Sequence, residues 1–183
     1  MGGLPVLLDP ILPLMAASAL AIVLLTGAWQ KLRDREAFAL AIEQYRLLPE
    51  SWAGPAALAL AGWELVAGGL LLAGTTRPWG GLAAAALLLL VTAAVALNLL
   101  RGRAHIDCGC GGPEGGQHLS WSLVARNLAL MALAAATRAP EAARELEWLD
   151  GLTAGAGALG LYGLYAAANQ LLANRPRLMK LRG

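Results

Sequence analysis

The sequence predicts an all-α, polytopic membrane protein. We expect a bundle of four core transmembrane helices with a fifth, C-terminal one, and a short interfacial helix after the first. Of the 183 residues, 58% are hydrophobic and only 14% are charged, whereas a soluble domain has about 25% charged residues. The charges are also clustered, which leaves long apolar stretches between them. This pattern predicts a single integral membrane domain over residues 1–183.

Five apolar stretches are long enough to be membrane spans, since a helix needs about 20 residues to cross a hydrocarbon core of about 30 Å. The candidate spans are residues 10–30, 53–74, 78–100, 119–137 and 151–173. The second contains one charged residue, Glu64, and the fourth contains one, Arg126. The first stretch is not preceded by Lys or Arg and shows no cleavage site followed by a polar start, so we expect a retained span rather than a signal peptide.

The residues around these stretches support the same layout. Five of the six tryptophans lie near span ends, at the headgroup level that an amphipathic ring prefers: Trp29, Trp52, Trp79, Trp121 and Trp148. Between the first two spans, residues 31–50 carry apolar side chains at helical spacing: Phe38, Ala41, Ile42 and Tyr45. Pro49 ends this pattern, because the residue before proline avoids helical geometry. The segment predicts a short helix on the membrane surface.

Other functional classes find no support in the sequence. The net charge is only +2, and the positive residues lie at the edges of the spans rather than in a patch that would bind nucleic acid. No phosphate-binding loop or Ser/His/Asp set is present.

Four glycines of the last span are expected to permit close helix packing: Gly151, Gly155, Gly157 and Gly160.

The Lys and Arg counts favour one orientation in the membrane. Residues 31–50, the loop 101–117 and the C-terminal tail hold four, two and four of these residues. The connections on the other side hold none, one and two. The positive-inside rule therefore places the loop 101–117 in the cytoplasm.

The most distinctive motif is Cys108-Gly109-Cys110 within this loop, which contains both cysteines of the protein. Two such cysteines have Cα atoms about 5.5–7 Å apart, near the window for a disulfide. A disulfide closing so small a ring is strained and labile, which suits thiol exchange. Three interpretations stay open: a redox dithiol, a soft-metal site formed by the two thiolates with His105 or His118, and idle thiols. In the first, His105 would act as a base and Asp107 would restrain thiol acidity.

Two charged residues inside spans form a second candidate group. Glu64 and Arg126 each lie about halfway along a span, where an isolated charge is costly and faces the bundle interior. We expect them to form an ion pair, with Asn127 and Asn98 extending the polar seam. Such a pair could be a packing clamp or a part of the mechanism, and the sequence leaves both open.

Taken together, these residues resemble a known family. The set is Lys31, Phe38, Tyr45-Arg46-Leu47-Leu48-Pro49, Trp63-Glu64-Leu65, Cys108-Gly109-Cys110 and Arg126-Asn127. It resembles the methylamine utilisation protein MauE family, which belongs with the DoxX-like membrane proteins, over roughly residues 10–135. Family members often have an aromatic residue after the second cysteine, where this chain has Gly111-Gly112.

The resemblance implies a function that the residues alone do not. It implies a factor in a bacterial inner membrane that helps to mature the small subunit of methylamine dehydrogenase, a client with many disulfides and a tryptophan-derived quinone. It also implies a membrane-anchored, thioredoxin-like partner, no cofactor of the chain's own, and a client outside the cytoplasm, against the charge count. A soft-metal-binding protein and a non-catalytic assembly scaffold are the alternatives.

Overall fold

The computed structural model describes residues 8–109, 117–142 and 144–180. Within these ranges the chain is helical, with a single 3₁₀ turn at Glu50–Trp52, no strands and two isolated β-bridges. The helices are α1 (Ile11–Arg33), α2 (Arg35–Tyr45), α3 (Ala53–Leu72), α4 (Arg77–Leu100), α5 (Trp121–Ala136) and α6 (Trp148–Lys180). The predicted all-α class is therefore confirmed for the described residues.

In the part of the chain that the structure describes, three helices are long and apolar enough to cross a membrane. They are α1, α4 and the segment Glu50–Leu72, which contains α3, and they coincide with the first three predicted spans. The fourth predicted span forms an apolar helix of only 16 residues, α5, which at 1.5 Å per residue is about 24 Å long. The fifth lies within α6, which has 33 residues and extends beyond the predicted span at both ends. Whether α5 and α6 cross the bilayer stays a prediction.

Helix α1 lies at the centre of the bundle. It packs against α2, α3, α5 and α6, and half of its apolar stretch is buried, compared with 28% for Glu50–Leu72 and 33% for α4. The main core cluster joins side chains of four helices and includes Leu20 of α1, Leu71 of α3, Leu87 of α4 and Leu130 of α5. About half of the apolar stretch of the first span is thus used for packing inside the protein.

The predicted helix after the first span is confirmed as α2, although it ends earlier than expected. Asp34 caps its start, where the carboxylate accepts a hydrogen bond from Ala37 N at 3.1 Å. It ends at Tyr45 because Arg46 adopts a left-handed conformation, with φ of 50°, so Pro49 plays no part in ending it. Its position at a membrane surface stays a prediction.

The connections gather at the two ends of the bundle as the alternating layout requires. At one end, the Tyr45 hydroxyl donates to the Cys108 carbonyl, so α2 and the cysteine loop lie together. At the other end, Arg77 pairs with Glu141 and Arg144 pairs with Asp9. There, a hydrogen bond from Ile11 N and the Arg144 guanidinium lower the pKa of Asp9. This grouping agrees with the two sets of loops used for the charge count.

The expected role of the glycines in the last span is correct for only one of them. A Cβ atom at Gly157 would overlap Met15 Sδ on α1, so this glycine lets α6 approach α1 closely. A Cβ atom at Gly151, Gly155 or Gly160 would meet nothing within 4 Å. The sequence could not distinguish them, because which side of α6 faces α1 depends on the packing of the whole bundle.

Replacing Gly157 by leucine should therefore destabilise the protein. Overpacking of this kind costs about 1–3 kcal/mol, and the thermal midpoint of the purified protein should fall accordingly. The matched variant Gly160→Leu adds the same side chain in open space and should leave the midpoint unchanged. Adding Met15→Ala to Gly157→Leu should restore much of the loss, and equal midpoints for the two leucine variants would contradict this packing.

Candidate functional site

The cysteine loop is held by a short antiparallel pairing on both sides of the motif. Cys108 N donates to the Gln117 carbonyl at 2.9 Å, and Leu119 N donates to the Ile106 carbonyl at 3.1 Å. Cys108 is only 5% exposed and packs in a cluster with Tyr45, Ile106 and Leu119. The loop therefore holds its first cysteine in a defined, buried position. The second, Cys110, lies outside the described residues, so the predicted pairing of the two thiols stays a prediction.

Helix α2 supports the loop from the side. The Arg103 guanidinium donates to the Gln44 and Tyr45 carbonyls, at 2.6 and 3.0 Å, and to Asn98 Oδ1 at 3.0 Å. A cation at the carboxyl end of a helix satisfies carbonyls that have no partner within the helix. One residue of the loop thus joins the ends of α2 and α4. Asn98 was expected in the polar seam. In the structure it accepts the hydrogen bond from Arg103 at the end of the bundle where the cysteine loop lies.

Gly109 fits its position for two reasons. Its φ is +69°, in the region that favours glycine, and a Cβ atom there would lie 3.1 Å from Ala41 Cβ and 3.2 Å from Phe38 Cδ2 on α2. The Asp107 carboxylate accepts the Gly109 N–H at 2.8 Å, so Asp107 shapes the turn that contains Cys108. His105 is exposed. This geometry does not test the roles predicted for His105 and Asp107 in tuning the acidity of the thiols.

The variant Gly109→Ala should loosen the loop. A residue other than glycine in this conformation costs about 1–3 kcal/mol, and the added methyl group must also displace Phe38 or Ala41. In a Cys110→Ser background, we expect a lower thermal midpoint and faster maleimide labelling of Cys108. Gly102 provides the control, because its φ is +73° but a Cβ atom there would meet nothing within 4 Å. Gly102→Ala should leave the labelling rate unchanged, and equal acceleration by both variants would exclude the contact with α2 as the cause.

A chain of hydrogen bonds leads from the Cys108 thiol into the bundle. Cys108 Sγ lies 3.8 Å from Gln117 Oε1, and Gln117 Nε2 donates to Asn169 Oδ1 at 3.4 Å. Arg126 Nη1 donates to the same Asn169 oxygen. Gln117 is 4% exposed, so this amide links the thiol to a cationic side chain through a largely buried path.

From Arg126 the polar seam continues to α4. Arg126 donates to Asn127 Oδ1 at 3.2 and 3.4 Å, and Asn127 Nδ2 donates to Thr92 Oγ1 at 3.1 Å. Asn127 is 3% exposed and Thr92 is 7% exposed. The guanidinium also lies over the Tyr165 ring, 5.8 Å from its centroid. Asn127 is thus buried and Arg126 is partly buried, while the role expected of the two residues stays a prediction.

Glu64 has an ion-pair partner that the sequence analysis did not anticipate. Lys31 Nζ lies 2.6 Å from Glu64 Oε1 and 2.8 Å from Oε2, and the two side chains are only 15% and 14% exposed. Gly27 provides the space, since a Cβ atom there would lie 3.4 Å from Lys31 Nζ and 3.6 Å from Glu64 Oε2. A direct Glu64–Arg126 pair stays a prediction.

One cavity of about 530 Å³ brings these groups together. Its walls include the predicted site residues Cys108, Glu64, Arg126 and Asn127, and also Lys31. Apolar side chains of α1–α4 and the aromatic rings of Phe38, Tyr162 and Tyr165 complete the lining. Sequence motifs that are far apart along the chain therefore line one common cavity.

The structure gives no support to a metal site within its described residues. There, no three His, Cys, Asp or Glu side chains lie close enough together to hold a metal ion. His105 and His118 are both exposed. The predicted alternative with Cys108, Cys110 and His105 includes one ligand outside these residues, so that set is not tested.

Sequence reasoning missed several residues of the site. Gln117 and Asn169 connect the thiol to Arg126, and Thr92 ends the seam, yet none of them belongs to a motif. A signal did exist in one case, because Asn169 and Gln170 are the strongly polar residues of a predicted span. Lys31 was noted only as part of a resemblance, and its pairing with Glu64 spans 33 positions of the chain.

Comparison with known proteins covers the part of the chain that contains these residues. The profile of the family described as methylamine utilisation protein MauE matches residues 9–139, which include Lys31, Glu64, Cys108 and Arg126. The protein of that name from Paracoccus denitrificans is 44% identical over 148 residues, 78% of this chain and 79% of the relative. The one from Methylorubrum extorquens is 39% identical over 88% of this chain and 82% of its own length.

A third relative of the same name, from Paracoccus versutus, is 37% identical over 182 residues, 97% of this chain and 98% of the relative. No solved structure matches the chain. The family profile covers most of the sequence, and these relatives align over most of both chains. The chain therefore belongs to the MauE family of methylamine utilisation proteins.

Proposed function

We propose that this protein is a membrane thiol–disulfide oxidoreductase of methylamine utilisation. It assists disulfide formation in the small subunit of methylamine dehydrogenase, together with a membrane-anchored, thioredoxin-like partner. Membership of the MauE family, whose members are named for methylamine utilisation, supports the link to this process. The observation that carries the redox role is the buried Cys108, held beside the Gln117 amide in the wall of the interior cavity.

The proposed reaction is a two-electron exchange. A thiolate of the partner or client attacks the Cys108–Cys110 disulfide, so that one new S–S bond forms while the other cysteine leaves as a thiolate. A second thiolate of the substrate then attacks this mixed disulfide. The substrate ends as a disulfide, oxidised by two electrons, and Cys108 and Cys110 end as a dithiol with the two protons that the substrate thiols release.

The bilayer arrangement that fits this role has five crossings in a bacterial inner membrane. Helices α5 and α6 complete the bundle around α1, which both of them contact, and the cysteine loop lies at the end of the bundle near α2. Placing that loop on the outer face puts it on the side of the client. Its Lys and Arg residues favour the cytoplasmic face, but Arg103 is engaged with the end of α2, which weakens that count. Labelling Cys108 from each side of sealed vesicles decides between the two faces.

The test of the redox role is thiol trapping in intact membranes. A maleimide reagent of large mass should add twice to the protein after treatment with dithiothreitol and should not add after oxidation. Cys110→Ser should add once after treatment with dithiothreitol, and the fraction that accumulates as a mixed disulfide with the partner through Cys108 should not add until it is reduced. A pair of cysteines that never changes state in growing cells would end the proposal. A double Cys→Ser variant that still matures the dehydrogenase would instead favour an assembly scaffold.

A further inference from the structure

The cavity beside Cys108 has the features of a binding site for a planar, membrane-soluble molecule. Its volume, about 530 Å³, lies within the range of about 300–1,000 Å³ typical of small-molecule sites. Apolar side chains dominate the walls, with Leu60, Leu87, Leu88 and Val91 among them. Cys108 is part of the same wall, so an occupant would lie next to the redox motif.

Aromatic rings on the wall favour a flat occupant. Tyr162 and Tyr165 of α6 both line the cavity, with ring centroids 6.4 Å apart and planes inclined by 28°. Phe38 of α2 provides a third ring in the lining. Offset stacking between rings is favourable, whereas an acyl chain gains nothing specific from such faces.

Positive charge lies close to these rings. The Arg126 guanidinium is 5.8 Å from the Tyr165 centroid, and Lys31 Nζ is 5.5 Å from the Phe38 centroid. Glu64 is the acidic side chain among the cavity residues that the structure describes, so the charged lining there is two cations and one carboxylate. Carbonyl oxygens that gain negative charge during reduction are stabilised by cations in a site of low dielectric constant.

An apolar path continues from the cavity to the outside of the bundle. Three of the lining leucines are themselves exposed on the surface, Leu47 at 38%, Leu48 at 48% and Leu90 at 51%. In a bilayer these side chains would meet lipid. A molecule with a polar, planar head and a long hydrocarbon tail could therefore place its head in the cavity and its tail along these leucines.

We propose that the cavity binds an isoprenoid quinone, which accepts the two electrons of the Cys108–Cys110 dithiol. This inference rests on the proposed function, because each disulfide donated to a client leaves a dithiol that must be reoxidised. In the step, two S–H bonds break and one S–S bond forms, while the quinone takes up two electrons and two protons and leaves as the quinol. The quinone is thus a co-substrate that is exchanged with the membrane rather than a resident cofactor.

The test uses the full chain, purified in detergent and reduced with dithiothreitol that is then removed. Decylubiquinone, a short-tailed quinone, is added without oxygen. We expect one quinol per protein, measured by the loss of quinone absorbance, and a disulfide between Cys108 and Cys110, measured by the loss of maleimide labelling. A parallel sample receives glutathione disulfide, which reports disulfide exchange alone.

Two pairs of variants place the reaction in the cavity. Ala94 and Ala166 line it, whereas their neighbours Ala93 and Ala167 are exposed and do not. Ala94→Trp and Ala166→Trp should each slow quinone reduction by about tenfold or more, which corresponds to about 1.4 kcal/mol. Ala93→Trp and Ala167→Trp should reduce quinone at the rate of the unmodified protein. Thermal midpoints identify a variant that fails to fold, in which case the other pair decides.

The possible failures are distinguishable. Oxidation by glutathione disulfide without reduction of quinone overturns the quinone site and leaves the proposed function intact. Oxidation by neither reagent overturns both. Equal rates in all four tryptophan variants exclude the cavity as the site. A phospholipid that copurifies with the protein, and that decylubiquinone does not displace in native mass spectrometry, identifies a lipid site instead.

Discussion

Replacing Glu64 with leucine is expected to lower the free energy of unfolding by about 3–5 kcal/mol, because it leaves the Lys31 ammonium without its partner inside the protein. The two groups lie 2.6 Å apart and are only 15% and 14% exposed. Removal of one partner from such a pair costs far more than the pair itself contributes. The measurement is denaturant unfolding of the purified protein in micelles, and Lys31→Met should give a loss of similar size.

The double variant Lys31→Met with Glu64→Leu separates this explanation from a general packing defect. Replacing both charges by apolar groups is often neutral or stabilising, so the double variant should recover most of the loss. Glu141→Leu is the control, because the Arg77–Glu141 pair lies at the end of the bundle with the carboxylate 35% exposed and should contribute at most about 1 kcal/mol. Losses that simply add in the double variant would show that the two residues do not interact.

A double-mutant cycle of Glu64 with Arg126 tests the ion pair that was expected from the sequence. If Glu64 and Arg126 interact directly, the losses caused by Glu64→Leu and Arg126→Leu should not be additive. Arg126→Leu also removes the hydrogen bonds to Asn127 and Asn169, so its own loss should be large. A double variant that folds well but no longer supports maturation of the dehydrogenase would assign the charges to the mechanism.

The second large effect is expected at Cys108. Cys108→Ser should reduce maturation of methylamine dehydrogenase in cells to background, because a hydroxyl group cannot form a disulfide. Serine is close in size to cysteine and can still donate to Gln117, so the fold should be kept. The readout is the amount of active dehydrogenase per cell at equal membrane levels of the variant, measured with methylamine as electron donor.

Two further variants test whether the loss of maturation is specific to the Cys108 thiol. His118→Ala changes an exposed residue directly after the cysteine loop and should keep full maturation, whereas a metal site that uses this histidine would lose function. Gln117→Leu keeps the thiol but removes the amide beside it, so it should slow disulfide exchange without abolishing it. Full maturation with Cys108→Ser would remove Cys108 from the mechanism.

The sequence by itself determined where the three helices that are long and apolar enough to cross a membrane lie, and where the cysteine loop follows the third of them. This was possible because both are local properties: an unbroken run of apolar residues predicts a span wherever it occurs, and two cysteines separated by one glycine are adjacent in any fold. Helix α2 could also be predicted from the helical spacing of its apolar residues. Its end was not, since Arg46 takes a left-handed conformation that no residue pattern marked.

The tertiary structure alone decided which distant residues share one cavity. Lys31 and Glu64 are separated by 33 positions. The hydrogen-bonded path from Cys108 through Gln117 to Asn169 joins the cysteine loop to α6. The same limit explains Gly157, which differs from three neighbouring glycines only by facing Met15. The side of each helix that faces the interior depends on its rotation and on its neighbours. In a nearly uniform apolar sequence, periodicity carries little information about that rotation, so only the packed bundle could reveal these contacts.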